Sequence, residues 1–255
     1  MKHQRAVTIV VTALIGLSAC GGGDNNTPPL TGAIRIGNGI ADSSGLDMSI
    51  SNTTSFTAIG VDAASTISYI PVSAVQSYNA TLASNSATFT VSGISIDQDH
   101  VTTLFTYGEI AAGTQGGFPA EIALGTPVGG EAAVQPVHAA LLASTTALSL
   151  SFFFVTPGVC ATAIAGATAN GSATFKASPG SFVLATGTYE ICITDAAGTV
   201  LFDSGPTGMA LPLANADVFQ LAVYDAPSGM GNGSALMLSL LDNAGGNTAL
   251  YNLKN

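Results

Sequence analysis

The stretch "TYEICIT", Thr188–Thr194, puts Tyr189, Ile191 and Ile193 on one side of an extended chain and Glu190 and Cys192 on the other. That split needs a period of two, the period of a β-strand. Outward from it, the pattern recurs in "TFTVSGISI" (Thr88–Ile96), "HVTTLFTY" (His100–Tyr107) and "VFQLAVY" (Val218–Tyr224). "ALSLSFFFV" (Ala147–Val155) alternates first and then turns wholly apolar, as a strand does on entering a covered layer. Turn-forming segments such as "DAAG" (Asp195–Gly198) and "PSGMGNG" (Pro227–Gly233) lie between the strands. Strands recurring about every 8–12 residues with such turns indicate a sandwich or barrel. A membrane barrel calls for aromatic girdles and strands of about ten residues. With no Trp, 7% aromatics and short strands, the sequence disfavours one. The expected fold class is all-β, as two tandem β-sandwich domains.

Two units are expected because the segments repeat in order. "AIRIGNGIADSSGLDMSIS" from Ala33 answers to "AVQPVHAALLASTTALSLSF" from Ala133. "DHVTTLFTYGE" (Asp99–Glu109) answers to "DVFQLAVYDA" (Asp217–Ala226), and "AEIAL" (Ala120–Leu124) to "ALMLSLL" (Ala235–Leu241). The glycine- and proline-rich "GTPVGGEAA", Gly125–Ala133, is the seam of the repeat. The domains are accordingly drawn at 31–128 and 129–255.

Ahead of them, Lys2 and Arg5 precede the apolar run "AVTIVVTALIGL", Ala6–Leu17, which is laid out as an export signal over residues 1–19. Leu17-Ser18-Ala19-Cys20 resembles the lipobox of bacterial lipoproteins. The resemblance implies cleavage before Cys20, a diacylglycerol on its thiol and an acylated new N-terminus. Each buried methylene of such chains contributes about 0.8 kcal/mol, and several chains make a durable anchor. With Gly21 where Gram-negative lipoproteins retained at the inner membrane tend to carry aspartate, the same resemblance implies the outer membrane. "GGGDNNTPP", Gly21–Pro29, is a flexible tether, so residues 20–30 form the lipidated cysteine and its leash. Cys160 and Cys192 are then the two remaining cysteines, an even pair in an oxidising compartment and an expected disulfide.

Only 8% of residues are charged, against about 25% in ordinary soluble domains. Loss of the signal leaves Arg35, Lys176 and Lys254 against fifteen acids, a formal net charge of −12. Such a surface repels phosphate backbones, which excludes nucleic acid as a partner. Expected partners are the membrane, through the N-terminal lipid, and an envelope protein or glycan; the oligomeric state is left open.

Motifs that carry chemistry are few. His100 and His138 stand at strand ends without ligand spacing and read as surface residues. "DQDH", Asp97–His100, reads as a turn rather than a calcium loop. "GMGNGS", Gly229–Ser234, reads as a loop, because no helix pattern follows it. Arg35 and Asp47 on consecutive strands suggest a partly buried ion pair. No metal, cofactor or catalytic residue is expected.

The unit resembles the bacterial domain-of-unknown-function family numbered 4397, whose members are exported, often lipid-anchored and often duplicated. Ile34-Arg35-Ile36 stands for its first strand, Asn38 to Ser44 for the turn, and Leu46-Asp47-Met48-Ser49-Ile50 for its Asp-containing strand. "TISYIPV", Thr66–Val72, is similar to its tyrosine strand, although Pro71-Val72-Ser73 departs from the Pro-Ala-Gly turn. In the second unit Gln135 replaces the arginine and Ser149 the aspartate, while "GTYEICIT" keeps the Gly-Thr-Tyr start of a later strand. The resemblance implies sandwiches of immunoglobulin or transthyretin type and no catalytic residues. The expected function is a non-enzymatic envelope lipoprotein with a structural, adhesive or ligand-recognition role. A glycan-binding module using Tyr69, Tyr78 or Tyr107 is the alternative. A hydrolase using Asp97 with Asp99, or Asp217 with Asp225, is the remoter one.

Overall fold

A computed structural model describes residues 30–50, 54–71, 78–125, 127–141, 149–158, 160–205, 210–226, 236–242 and 246–250. The export signal, Cys20, the tether and the "GMGNGS" loop lie outside the described residues. The first unit runs β1 (Thr31–Gly37), β2 (Leu46–Ile50), β3 (Thr54–Ile59), β4 (Ser68–Pro71), β5 (Tyr78–Ser84), β6 (Ala87–Ile94), β7 (His100–Tyr107) and β8 (Gly116–Ala123). The second runs β9 (Glu131–His138), β10 (Leu150–Val155), a one-turn helix α1 (Cys160–Ala163), β11 (Gly171–Ala173), β12 (Phe182–Ala185), β13 (Gly187–Thr194) and β14 (Val200–Asp203). It finishes with β15 (Leu211–Leu213), β16 (Val218–Asp225), β17 (Leu236–Asp242) and β18 (Asn247–Leu250). The fold is all-β, and each unit is a two-sheet sandwich.

The two units share one wiring. Sheets β4-β1-β7-β8 and β3-β2-β5-β6 in the first correspond to β12-β9-β16-β17 and β11-β10-β13-β14 in the second, with β18 and β15 added. In both, the central pair is parallel: Ala33 faces Val101 across β1 and β7, as Ala133 faces Val218 across β9 and β16. A parallel pair demands a long crossover, and here the chain makes it by building the opposite sheet on the way.

Local chemistry sets the corners. β5 turns into β6 through Asn85 and Ser86, both with positive φ (48° and 66°), the two-residue turn whose twist suits a hairpin. Gly93, at φ 76°, sits where the β5–β6 register shifts between Tyr78 and Ala80, so the extra residue takes a left-handed conformation without strain.

Alternation along the central strands faces two cores, not a core and water. Ile34 and Ile36 of β1 and Leu104 of β7 point into the first sandwich; Leu221 and Val223 of β16 point into the second. The intervening positions, among them Val101, Phe105, Tyr107, Val218, Ala222 and Tyr224, pack the two units against each other. Four sheets therefore stack in series, and strands such as β7 and β16 are covered on both faces. "HVTTLFTY" and "VFQLAVY" alternate in sequence as half-exposed strands do, yet their second face lies in this inter-unit layer.

Candidate functional site

Among the described residues, the buried polar side chains of Arg35, Thr103, Gln135 and Gln220 lie in that layer. In the parallel pairs, Arg35 is opposite Thr103 and Gln135 is opposite Gln220, so these four positions are equivalent two by two. They meet in one network. Arg35 Nε donates to Thr103 Oγ1 at 2.9 Å, and its Nη2 donates to Gln220 Oε1 at 2.9 Å. The Thr103 hydroxyl donates to the same Gln220 oxygen. Gln220 Nε2 reaches Gln135 Oε1 at 2.8 Å, and Gln135 Nε2 returns to the Glu121 carbonyl at 2.8 Å. Arg35 Nη1 also donates to the Asp242 carbonyl across the layer. Burial lowers the Arg35 guanidinium to about 10 while Asp242 and Tyr224 hold it up, so it stays charged at neutral pH.

This corrects the expected Arg35–Asp47 ion pair. Consecutive strands belong to opposite sheets, so Arg35 faces the second unit, whereas Asp47 lies on the outer surface. There its Oδ1 accepts the Ala58 N–H at 2.7 Å.

Beside the network, Tyr224 lays its ring over Gly37 at the end of the first strand and Gly39 just beyond it. A Cβ on Gly39 would fall 2.0 Å from Tyr224 Cδ1, and one on Gly37 would fall 2.6 Å from Tyr224 Oη. Burial raises the Tyr224 phenol, with a further push from Asp62. Asp62 occupies a left-handed turn (φ 63°), and its backbone carbonyl accepts Asn247 Nδ2 at 3.0 Å and Ser239 Oγ at 3.3 Å from the second unit. Burial raises the Asp62 carboxyl to about 6. Tyr107, the counterpart of Tyr224, meets Phe175 edge-on at 4.9 Å between centroids, with the Lys176 ammonium 4.7 Å above its ring.

A second buried group lies on the outer face of the second unit. Cys160 and Cys192 are joined as a disulfide closing 32 residues, and they pack with Phe153 under the segment that carries α1. Cys192 thus points away from the Tyr189 face, as the period-two reading of "TYEICIT" requires. Glu190 lies alongside, accepting the Gly158 N–H; burial and Asp203 raise its carboxyl. Among the described residues, Cys160, Glu190 and Cys192 are the set of three ligand-type side chains that converges, and the disulfide consumes both thiols.

The remaining candidates disperse. His138 is fully buried, not on the surface, because the Phe175 turn folds over the end of β9 and sets its ring edge-on to the imidazole at 5.9 Å. His100 does stand at a strand start, with Nδ1 2.9 Å from the Gln98 carbonyl. Gln98 and Asp99 form the turn read from "DQDH". Asp97 neighbours Glu121, whose carboxyl is raised by burial and then by the Asp97 charge. Asp217 and Asp225 flank β16 end to end, about 26 Å apart at strand rise, too far to share one glycosidic bond. Of the three tyrosines, Tyr107 is buried, Tyr78 packs on the first core, and Tyr69 on the edge strand β4 is 67% exposed. A shallow groove of about 190 Å³ runs over Ser49, Ser55, Thr57 and Thr81 beside Asp47, below the size of an ordinary ligand pocket.

The inter-unit network was missed because nothing in one strand says what covers its second face. The available signal was the row Val101, Phe105 and Tyr107, and its echo Val218, Ala222 and Tyr224, too apolar for a solvent face.

No family model matches the chain, and no curated protein does. Among solved structures it is similar to the Bacillus anthracis TIE protein at 9% identity and a TM-score of 0.23, over 89% of this chain and 49% of that one. The chain thus spans about half the length of that protein.

Proposed function

We propose that the chain is a non-enzymatic lipoprotein of the bacterial cell envelope, held to the outer membrane through Cys20, with a structural, adhesive or ligand-recognition role. The observation that supports this is where the polar side chains go. Arg35, Thr103, Gln135 and Gln220 bond to one another between the units. Asp42 accepts the Ile110 and Ala111 N–H groups, Asp195 those of Ala197 and Thr199, and Asp217 that of Ala214. These groups are committed to architecture, where catalysis would want them converging on a cleft. Among the described residues no helix is long and apolar enough to cross a membrane, and a lipid on Cys20 would supply the attachment.

The experiment is membrane fractionation of native and Cys20→Ser protein. The native chain is expected in the membrane fraction with an acylated N-terminal peptide, and the variant in the soluble or unprocessed fraction. Equal fractionation and an unmodified N-terminal mass would overturn the anchor. Glycan recognition is the second reading, favoured by the open ring of Tyr69. Saturable binding on a glycan array that disappears in Tyr69→Ala would establish it.

A further inference from the structure

Among the described residues, Asp62 is the buried carboxylate that the first unit places beneath the second. Its Oδ1 is buried and makes no hydrogen bond among the described residues, and the same holds for the hydroxyl of Tyr224. A carboxylate in such a place is costly, because burial without a donor penalises the charged form and leaves the neutral acid unharmed. The cover over it comes from the other unit: Tyr224 of β16, and the Ser239 and Asn247 side chains of β17 and β18, which grip the Asp62 backbone carbonyl. The turn cannot swing the side chain away cheaply. Asp62 N donates to the Asn38 carbonyl at 2.8 Å, and Asn38 N donates to the Ala63 carbonyl at 2.9 Å, pinning the turn to the end of β1.

We propose that the junction between the two units is a proton-coupled latch, in which Asp62 takes up a proton as the units close on each other. The titratable group that faces it is Tyr224 on β16; Tyr224 in turn faces Arg35 on β1, and Arg35 faces Asp242 at the end of β17. Tyr224 stays neutral, and Arg35 is occupied by Thr103, Gln220 and the Asp242 carbonyl. Among the described residues, no cation thus pairs with the carboxylate in the closed state. The closed state holds the Asp62 carboxyl at about 6, and an open junction returns it toward 3.8. Closure is therefore strongest below pH 4, weakens as pH rises through 6 and levels off above. The difference amounts to about a hundredfold in the closing equilibrium. The latch needs neither the lipid anchor nor a ligand.

The test uses the full chain. Hydrogen exchange at the Asp62 and Ser65 amides, which bond the Asn38 and Ile36 carbonyls, is measured against the β5–β6 hairpin in the same molecule. After correction for intrinsic exchange, the turn is expected to lose up to about a hundredfold in relative protection between pH 4 and pH 7. In Asp62→Asn, which keeps the shape and cannot ionise, the relative protection should be flat. A flat native profile, or the same slope in Asp62→Asn, overturns the latch. Should the variant fail to fold, the carboxyl carbon of Asp62 in the native chain is titrated by NMR. A midpoint near 6 supports the latch, and an ordinary midpoint near 4 overturns it.

Discussion

At matching positions of the two central strand pairs, the first unit carries Arg35 beside Thr103 and the second carries Gln135 beside Gln220. Were both units to keep the arginine, two guanidiniums would be buried side by side with no carboxylate among the four positions, and their repulsion in a low-dielectric layer would part the sandwiches. One cation and three neutral partners satisfy the same geometry. Gln220 does this with a single amide, accepting from Arg35 and Thr103 through its oxygen and donating to Gln135 through its nitrogen. The tyrosines diverge in the same way: Tyr224 is wholly enclosed over two glycines, whereas Tyr107 sits under a lysine. Two units with identical wiring have become a lock and its key at the face where they touch.

The largest blow to that asymmetry is Arg35→Met. It removes the donor to Thr103 Oγ1, the donor to the Asp242 carbonyl and one of the two donors to Gln220 Oε1. The loss of several buried bonds at once should cost about 3–5 kcal/mol in chemical denaturation, with the first unit losing cooperativity with the second. A loss below 1 kcal/mol would mean that the network contributes little. Replacing Cys160 and Cys192 by serine should cost about 3–4 kcal/mol for a loop of 32 residues. This loss belongs to the second unit alone, because the first has no bridge among its described residues. Hydrogen exchange that rose equally in both units would refute the assignment. Gly39→Ala is the mildest of the three, about 1–3 kcal/mol, since the Tyr224 ring and the Thr106 carbonyl must both shift to admit the methyl. Pairing it with Tyr224→Phe leaves the clash in place, because the ring carbons make the contact. Pairing it with Tyr224→Leu should recover part of the loss.

Much of the architecture was legible along the chain. Alternation identifies β7, β13 and β16 because the inner and outer positions of a strand differ by two whatever lies beyond them. The order of like segments, from Ala33 and Ala133 onward, parallels the shared wiring because strand order is a property of the connections. The side of the sheet that a polar residue serves was not legible. Arg35 and Asp47 are neighbours in sequence, yet they face different layers, since the chain changes sheet between them. His138 ends a strand, which in an isolated sandwich is a surface address; the turn bearing Phe175 closes over it from 37 residues away. Both misreadings arise from packing partners that no local pattern encodes. The disulfide was legible for the opposite reason, because counting cysteines requires no geometry.

The position of β1 has a mechanical consequence. Leu30 leads into a strand of an inner sheet, where β4 holds one edge and β7 the other. Tension arriving through residues upstream runs along that strand and loads its hydrogen bonds in shear, many at once, instead of unzipping them singly. A molecule tugged from there would resist like a drawer jammed between two runners, and its outer faces would stay free of the strain.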